Sequence, residues 1–296
     1  MRYSVVDLGR DVVPWALNLN GDVVYQTPIE GPPVQVRLAD ATVLDLPADV
    51  TRGVGISDDR LVLTDLASGG SGLCHVLTGQ IEPISIPGPA SAFAVAINSH
   101  ADVAGSVGPQ GFILRRSTGA LTLVAPTLPS RLAGATSHIV QFNALNDRCE
   151  AVGVQEWRND ADQLAQPLWF DGVTLQALGQ PDYIADGLLI TNDRRMRLWR
   201  ESSGEAIYEA EGHDLTPFPG TILDMRSDGR VLWRRILEDG PGYLTTGEGV
   251  SAVIDLFPPG SGFSFAVGLR INDAGIIVGY GTIDDASHGF LLKPDV

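Results

Sequence analysis

The chain has 296 residues, and its 36 acidic and 20 basic side chains give a formal net charge of −16, a surface that repels nucleic acid and anionic membranes. With 34 glycines, 19 prolines and 44% hydrophobic residues, the composition fits a turn-rich all-β protein and lacks the Ala, Glu, Lys and Leu runs of helical folds. No apolar run approaches the ~18 residues of a membrane span, and two lone cysteines, Cys74 and Cys149, argue against a disulfide framework or a zinc site.

The first residues, MRYSVVDLGRDVV, carry one early arginine but no apolar h-region, so no secretory leader is expected and a cytoplasmic location fits best. YSVVDLG (3–9) reads as a strand standing alone. Four-strand units follow, each opening on a strand that ends in a tight turn of the Asn-Asp-x-Gly kind. Unit one runs PWALN to Asn18, then DVVYQT, VQVRLADA and TVLDLP. Unit two runs RGVGIS to Ser57, then LVLTDL, LCHVLTG and IEPISIP. Unit three runs FAVAIN to Asn98, then DVAGSV, GFILRRSTG and LTLVAP. Unit four runs QFNALN to Asn146, then EAVGVQ, PLWFDG and TLQALG, with a long loop expected at 155–166. Unit five has a short first strand, PDYI, ending at Ile184, then LLIT, RMRLWRESSG and EAIYEA. Unit six runs ILDMR to Arg226, then RVLWRR, GYLTTGEG and AVIDLF. Unit seven runs GLRIN to Asn272, then IIVGYG and HGFLLKPD, where the chain ends.

The seven turn residues lie 38 to 48 positions apart, a repeat of about 42 residues, which predicts radially stacked four-stranded sheets. The expected fold is therefore all-β: a single seven-bladed β-propeller domain over 1–296. Unit seven lacks a fourth strand and the N-terminus has one to spare, so the N-terminal strand is expected to complete the last blade. A six-bladed ring is the alternative, and it would require unit five to be an insertion.

The I-N-D-x-G-x-[IV]-V-G core followed by H-[AG]-F-L resembles the HAF-type repeat family, usually described as probable extracellular repeats. Residues 271–279 with 288–291 match best, and 96–105 with 111–114 and 144–153 with 167–170 are recognisable. The resemblance implies a propeller-like fold and no catalytic residues. Its extracellular description differs from the location expected from the N-terminus.

Known catalytic strings are absent: there is no G-x-S-x-G elbow, no H-E-x-x-H, no P-loop and no dinucleotide fingerprint. No cofactor or metal is expected. Comparing the units with one another is more informative. Two residues before the turn residue they read Ala16, Gly55, Ala96, Ala144, Asp182, Asp224 and Arg270, so three consecutive units replace a small residue with a charge. Arg226 takes the turn position itself, and Asn143 replaces an apolar residue. Because first strands lie innermost in a propeller, Asp182, Asp224, Arg226 and Arg270 are expected along one arc of the central channel. There Asp could serve as acid or base and Arg could stabilise developing negative charge. The alternative is a compensated ion-pair network.

Trp15, Phe93, Phe142, Tyr183 and Phe263 lie in or beside segments leading into first strands and could form an apolar mouth, with Asn143, His138 and Trp157 near it. Blade packing is the competing account of the aromatic residues. Two functions follow. One is a small-molecule site in the channel, with a cofactor-independent lyase, cyclase or isomerase as the reaction class. The other is a protein-interaction scaffold using rim loops, for which Trp157 beside Arg158 is the best hot spot.

Overall fold

The computed structural model describes residues 2–27, 33–87, 92–127, 137–158, 163–182, 184–235 and 240–295. Its strands form seven four-stranded antiparallel sheets, the blades of a β-propeller. Blade I holds β2 (Val13–Leu17), β3 (Val23–Gln26), β4 (Gln35–Arg37) and β5 (Val43–Asp45). Blade II holds β6 (Val50–Ile56), β7 (Leu61–Leu66), β8 (Ser71–His75) and β9 (Ile81–Pro83). Blade III holds β10 (Ala92–Ile97), β11 (Val103–Val107), β12 (Gln110–Arg115) and β13 (Ala120–Val124). Blade IV holds β14 (Ser137–Leu145), β15 (Ala151–Arg158), β16 (Gln163–Phe170) and β17 (Leu175–Ala177). Blade V holds β18 (Ala185–Ile190), β19 (Arg195–Arg200), β20 (Gly204–Glu209) and β21 (Asp214–Pro217). Blade VI holds β22 (Gly220–Met225), β23 (Val231–Arg235), β24 (Gly242–Thr246) and β25 (Gly249–Ala252), and a short 3-10 helix, Val253–Leu256, follows it. Blade VII orders β26 (Phe265–Ile271), β27 (Ile277–Ile283) and β28 (Ala286–Pro294) from one edge, and β1 (Tyr3–Arg10) completes it. The register of β1 on β28 runs from Tyr3↔Pro294 to Arg10↔His288.

The contacts divide the chain into two compact units. One is Met1–Ser68, Cys74–Ile81 and Pro219–Val296; the other is Gly69–Leu73 and Glu82–Phe218. In the first, Tyr3, Leu232, Leu244, Val253, Ala266, Ile277, Phe290 and Leu292 pack blades VI and VII together, and Val24, Val36, Val50 and Val62 do the same for blades I and II. In the second, Ala104, Ile113, Val140, Phe142 and Leu168 join blades III and IV, while Val152, Trp169, Met196 and Leu198 join IV and V. Alternation along each strand puts these residues on the faces that meet the neighbouring blade, where burial of a large side chain contributes about 1.5–3 kcal/mol.

One turn recurs in all seven blades. The residues at its start are Asn18, Ser57, Asn98, Asn146, Thr191, Arg226 and Asn272. Each donates its N–H to the carbonyl four residues on, and its own carbonyl accepts the N–H of the residue at the third position. That third residue is left-handed throughout: Gly21, Arg60, Ala101, Cys149, Arg194, Gly229 and Gly275. Gly275 accounts for the glycine of the Asn-Asp-x-Gly core, since the backbone there requires positive φ. Each inner strand also bulges three residues before the turn, at Trp15, Val54, Val95, Asn143, Leu188, Leu223 and Leu269.

Three expectations change. The first strand of blade V is Ala185–Ile190 and its turn begins at Thr191; PDYI and Ile184 are not the corresponding strand and turn, so LLIT falls mostly in the first strand, RMRLWRESSG holds the second, EAIYEA the third, and Asp214–Pro217 is the fourth. The asparagine of that turn, Asn192, is displaced by one position, which hid the frame. AVIDLF is not a strand: β25 ends at Ala252 and Val253–Leu256 is helical. The loop expected at 155–166 is largely strand, because β15 continues to Arg158 and β16 starts at Gln163; residues 159–162 lie outside the described residues.

Candidate functional site

The inner strands of blades IV and V bring Asn143 and Asp186 together. Asn143 is the bulged residue of β14, and the bulge re-aims its amide toward the next blade. Its Nδ2 donates to Asp186 Oδ1 at 2.5 Å and to the Gly187 carbonyl at 3.2 Å, and Gln141 Nε2 donates to Asn143 Oδ1 at 2.9 Å. Gln141 thus fixes which end of the Asn143 amide faces Asp186. Asp186 stands five residues before its turn residue. The same relationship recurs between blades I and II, where Arg52, five before Ser57, lies over the ring of the bulged Trp15 at 5.6 Å. A bulged residue and the residue five before the next turn therefore form a pair across each of these two seams.

Burial pushes the Asp186 carboxyl up to about 7, with Glu156 adding to the rise, while the Gly187 N–H, the Asn143 amide and Arg197 oppose it. Arg197 is itself paired: Nη2 and Nε meet the Glu205 carboxylate at 2.6 and 2.9 Å, and Glu205 is buried. The cluster therefore contains a carboxyl that is half protonated near neutral pH, a fixed amide donor and a neutralised ion pair. Such a carboxyl can give or take a proton without a large mismatch to its surroundings.

The charged residues expected on one arc separate. Asp182 is not on an inner strand: it forms an isolated bridge with Ala165, and its Oδ2 accepts from the Ser202 N–H at 3.0 Å and from the Ser202 hydroxyl. Asp224 and Arg270 do lie two residues before their turns. Asp224 accepts the N–H groups of Met225 and Ile271, each at 2.9 Å, and so ties β22 to β26. Burial raises its carboxyl, against the pull of Arg270 and these two N–H groups. Arg270 Nη1 donates to the Leu269 carbonyl at 2.9 Å and to that of Leu223 at 3.4 Å. Arg226 is buried and pairs with Asp273 in the next turn, with Nε 3.7 Å from Asp228; burial lowers its pKa.

The aromatic residues also divide. Trp15 and Phe93 are exposed. Phe142 is fully buried and packs on Phe170 with centroids 6.1 Å apart, so it cannot line an open mouth. Phe263 belongs to an aromatic cluster, 4.9 Å from Phe257 and 5.9 Å from Phe290. Trp157 is 2% exposed and its indole N–H donates to the Thr127 carbonyl at 3.3 Å, which removes it as a surface hot spot. The strand register places it opposite Leu164, inside the extended hairpin. His138 is half-buried opposite Trp157, and its Nδ1 has no hydrogen-bond partner among the described residues. Tyr183 lies outside the described residues.

Asp186, Gly187 and Arg197 were missed because unit five was read in the wrong frame. The signal was present: Ile190-Thr191-Asn192-Asp193 carries the turn, and aligning there puts Asp186 in the same column as Arg52 and Phe93. Among the described residues, no group of three or more His, Cys, Asp or Glu side chains could hold a metal ion, and no helix is long and apolar enough to cross a membrane.

These features define a β-propeller with an acid–amide pair on two neighbouring inner strands. No protein-family model matches the chain, and no curated protein matches it in sequence. Among solved structures it is similar to Porphyromonas gingivalis dipeptidyl peptidase 4, with TM-score 0.52 and 9% identity over 94% of this chain and 50% of that one. It is also similar to the extracellular domain of a B. thetaiotaomicron protein described as a one component system, with TM-score 0.54 and 10% identity over 98% of this chain and 40% of that one. The chain thus spans half or less of these proteins, and at such identity the likeness is one of fold alone.

Proposed function

We propose that this propeller binds a small polar molecule over the inner strands of blades IV and V and exchanges a proton with it through Asp186. The reaction class is a cofactor-independent lyase, cyclase or isomerase. In this reading Asn143 orients the carboxyl and Gln141 holds Asn143. The observation that carries it is the 2.5 Å contact between Asn143 and a carboxyl raised to about 7. An acid–base group works best when its pKa lies near the operating pH. Asp224 has a raised carboxyl too, but its two hydrogen bonds go to backbone N–H groups, which suits joining two blades. The HAF-type relationship is part of this proposal, and the turn supports it where Asn272 closes its own turn and reaches the next and Gly275 takes the positive φ that the backbone requires.

Native mass spectrometry after incubation in a metabolite extract tests the reading. A retained small-molecule mass, lost in Asp186→Asn and kept in Asp224→Asn, is expected. If a retained mass survives Asp186→Asn, the site lies elsewhere. A discrete protein adduct with no small molecule would favour the scaffold function instead.

A further inference from the structure

A cavity of about 360 Å³ opens in the seam between blades VI and VII, lined by Arg234, Gly240, Phe265, Tyr280 and Thr282. It is separate from the Asn143–Asp186 pair and draws on other strands. Phe265 opens β26 and stands directly opposite Thr282 on β27, while Tyr280 is two residues before Thr282 and so shares its face. Arg234 comes from the end of β23 on the neighbouring blade. At Gly242, which follows Gly240 by two residues, an added Cβ would lie 3.0 Å from the Val267 Cα, so blades VI and VII approach closely there.

Three polar groups line the cavity. The Arg234 guanidinium is exposed and has no ion pair among the described residues, and the hydroxyls of Tyr280 and Thr282 make no hydrogen bond among them. By contrast Arg226, Arg230 and Arg197 are each paired with a carboxylate. In a chain of net charge −16, a cation with no carboxylate partner among the described residues, beside two hydroxyls and an aromatic ring, is set apart from its surroundings. A guanidinium presents a planar fork that matches a carboxylate, hydroxyls add donors, and a ring face accepts an apolar body. The volume lies at the small end of ligand-binding cavities.

We propose that this cavity binds a small aromatic carboxylate. Arg234 takes the carboxylate, Tyr280 and Thr282 donate to its oxygens, and Phe265 packs against the ring. The site needs no residue of the acid–amide pair, so its occupancy is independent of the function proposed above.

The test is isothermal titration calorimetry, with saturation-transfer NMR, of the full chain with benzoate and with neutral benzamide at low salt. Benzoate should bind saturably and benzamide at least about tenfold more weakly, since the charge-assisted contact is lost. Arg234→Gln should weaken benzoate about tenfold or more, and Tyr280→Phe, which removes one hydroxyl and leaves the ring, about threefold. Equal affinity for benzamide, unchanged affinity in Arg234→Gln, or absence of saturable binding would each overturn the assignment. Inorganic phosphate binding more tightly than benzoate would also overturn it, because the ring would then contribute nothing.

Discussion

Asn146 donates from Nδ2 to the carbonyl oxygen of Thr191, one blade further on and 45 residues later in the chain, at 3.2 Å. The same side chain accepts the N–H of Glu150 at 3.0 Å and donates to the Glu150 carboxylate at 2.9 Å. Asn18, Asn98 and Asn272 repeat the link, reaching the carbonyls of Ser57, Asn146 and Asn18. Where the turn residue is Ser57 or Thr191, its hydroxyl still accepts the N–H four residues on, at 3.1 and 3.0 Å. One residue type therefore closes its own turn and fastens it to the next, which a hydroxyl is too short to do.

Replacing Asn146 by Ala should cost about 2–4 kcal/mol, because it strands a buried carbonyl and leaves Glu150, 2% exposed, with Arg194 as its remaining partner. Asn272→Ala should cost less. Position 276 is Ile, so no buried carboxylate depends on that amide. Chemical unfolding of the two variants measures the difference, and equal losses would contradict the role given to the buried acid.

Asp186 gives stability a pH dependence of known sign. Its carboxyl titrates near 3.8 when unfolded and near 7 when folded, so between these values the folded state holds the extra proton. The contribution is fully present below pH about 4 and is lost as pH rises through about 7, up to about 4 kcal/mol in total. Asp186→Asn, which keeps the acceptor for Asn143, should remove this component. Unfolding midpoints from pH 4 to 8 would show the two curves converging toward low pH; parallel curves would sink the assignment.

Blade number, the use of the N-terminal strand and the strand order of every blade but V were legible because they rest on local signals: alternation, turn residues and a repeat length. The charged substitutions Asp224 and Arg270 were also placed correctly on inner strands. What could not be read was partnership. Asp224 spends its oxygens on backbone groups, and Arg226 takes over blade linkage by pairing with Asp273. Asp186 gains its raised carboxyl from burial, and its fixed partner is an amide 43 residues earlier in the chain, brought near by a bulge that no single residue announces. Trp157 looked exposed because a polar stretch follows it, whereas the hairpin continues past it and buries the ring.

That burial has a measurable consequence. Trp157→Ala should destabilise the fold by about 3–5 kcal/mol, the usual cost of deleting a buried aromatic side chain. Neighbouring Arg158 is exposed, and Arg158→Ala should change stability by less than about 0.5 kcal/mol. Thermal melts of both variants compare the two positions, and a near-neutral Trp157→Ala would mean that the ring does not pack as described.

Both thiols should be silent in the folded protein. Cys74 is fully buried and burial raises its pKa. Cys149 is raised to about 11, first by burial and then by the Asp102 carboxylate that its Sγ contacts at 3.1 Å. At pH 8 the thiolate fraction of Cys149 is about one in a thousand. An aromatic disulfide reagent should therefore label neither cysteine until denaturant unfolds the chain, when two equivalents react. Rapid labelling of Cys149 under native conditions would show that its turn opens locally.

The strand that completes blade VII supplies both a core side chain and an edge cover. β1 supplies Tyr3, 5% exposed, to the cluster containing Leu232, Leu244, Phe290 and Leu292, and it covers the open edge of β28 along the whole Tyr3–Arg10 register. Removing residues 1–10 would strip this core contact and leave the backbone donors and acceptors of β28 unpaired, an invitation to intermolecular pairing. The truncated protein should melt well below the full chain and aggregate in a concentration-dependent way. Truncation alone cannot separate edge protection from core loss, so two point variants accompany it. Tyr3→Ala should cost about 3 kcal/mol through the cavity it leaves. Ser4→Ala, on the exposed side of the same strand, should change stability by no more than about 0.5 kcal/mol. If Tyr3→Ala were as mild as Ser4→Ala, β1 would serve only as an edge cover, and adding a peptide of residues 1–12 to the truncated chain should then restore solubility without restoring the melting temperature.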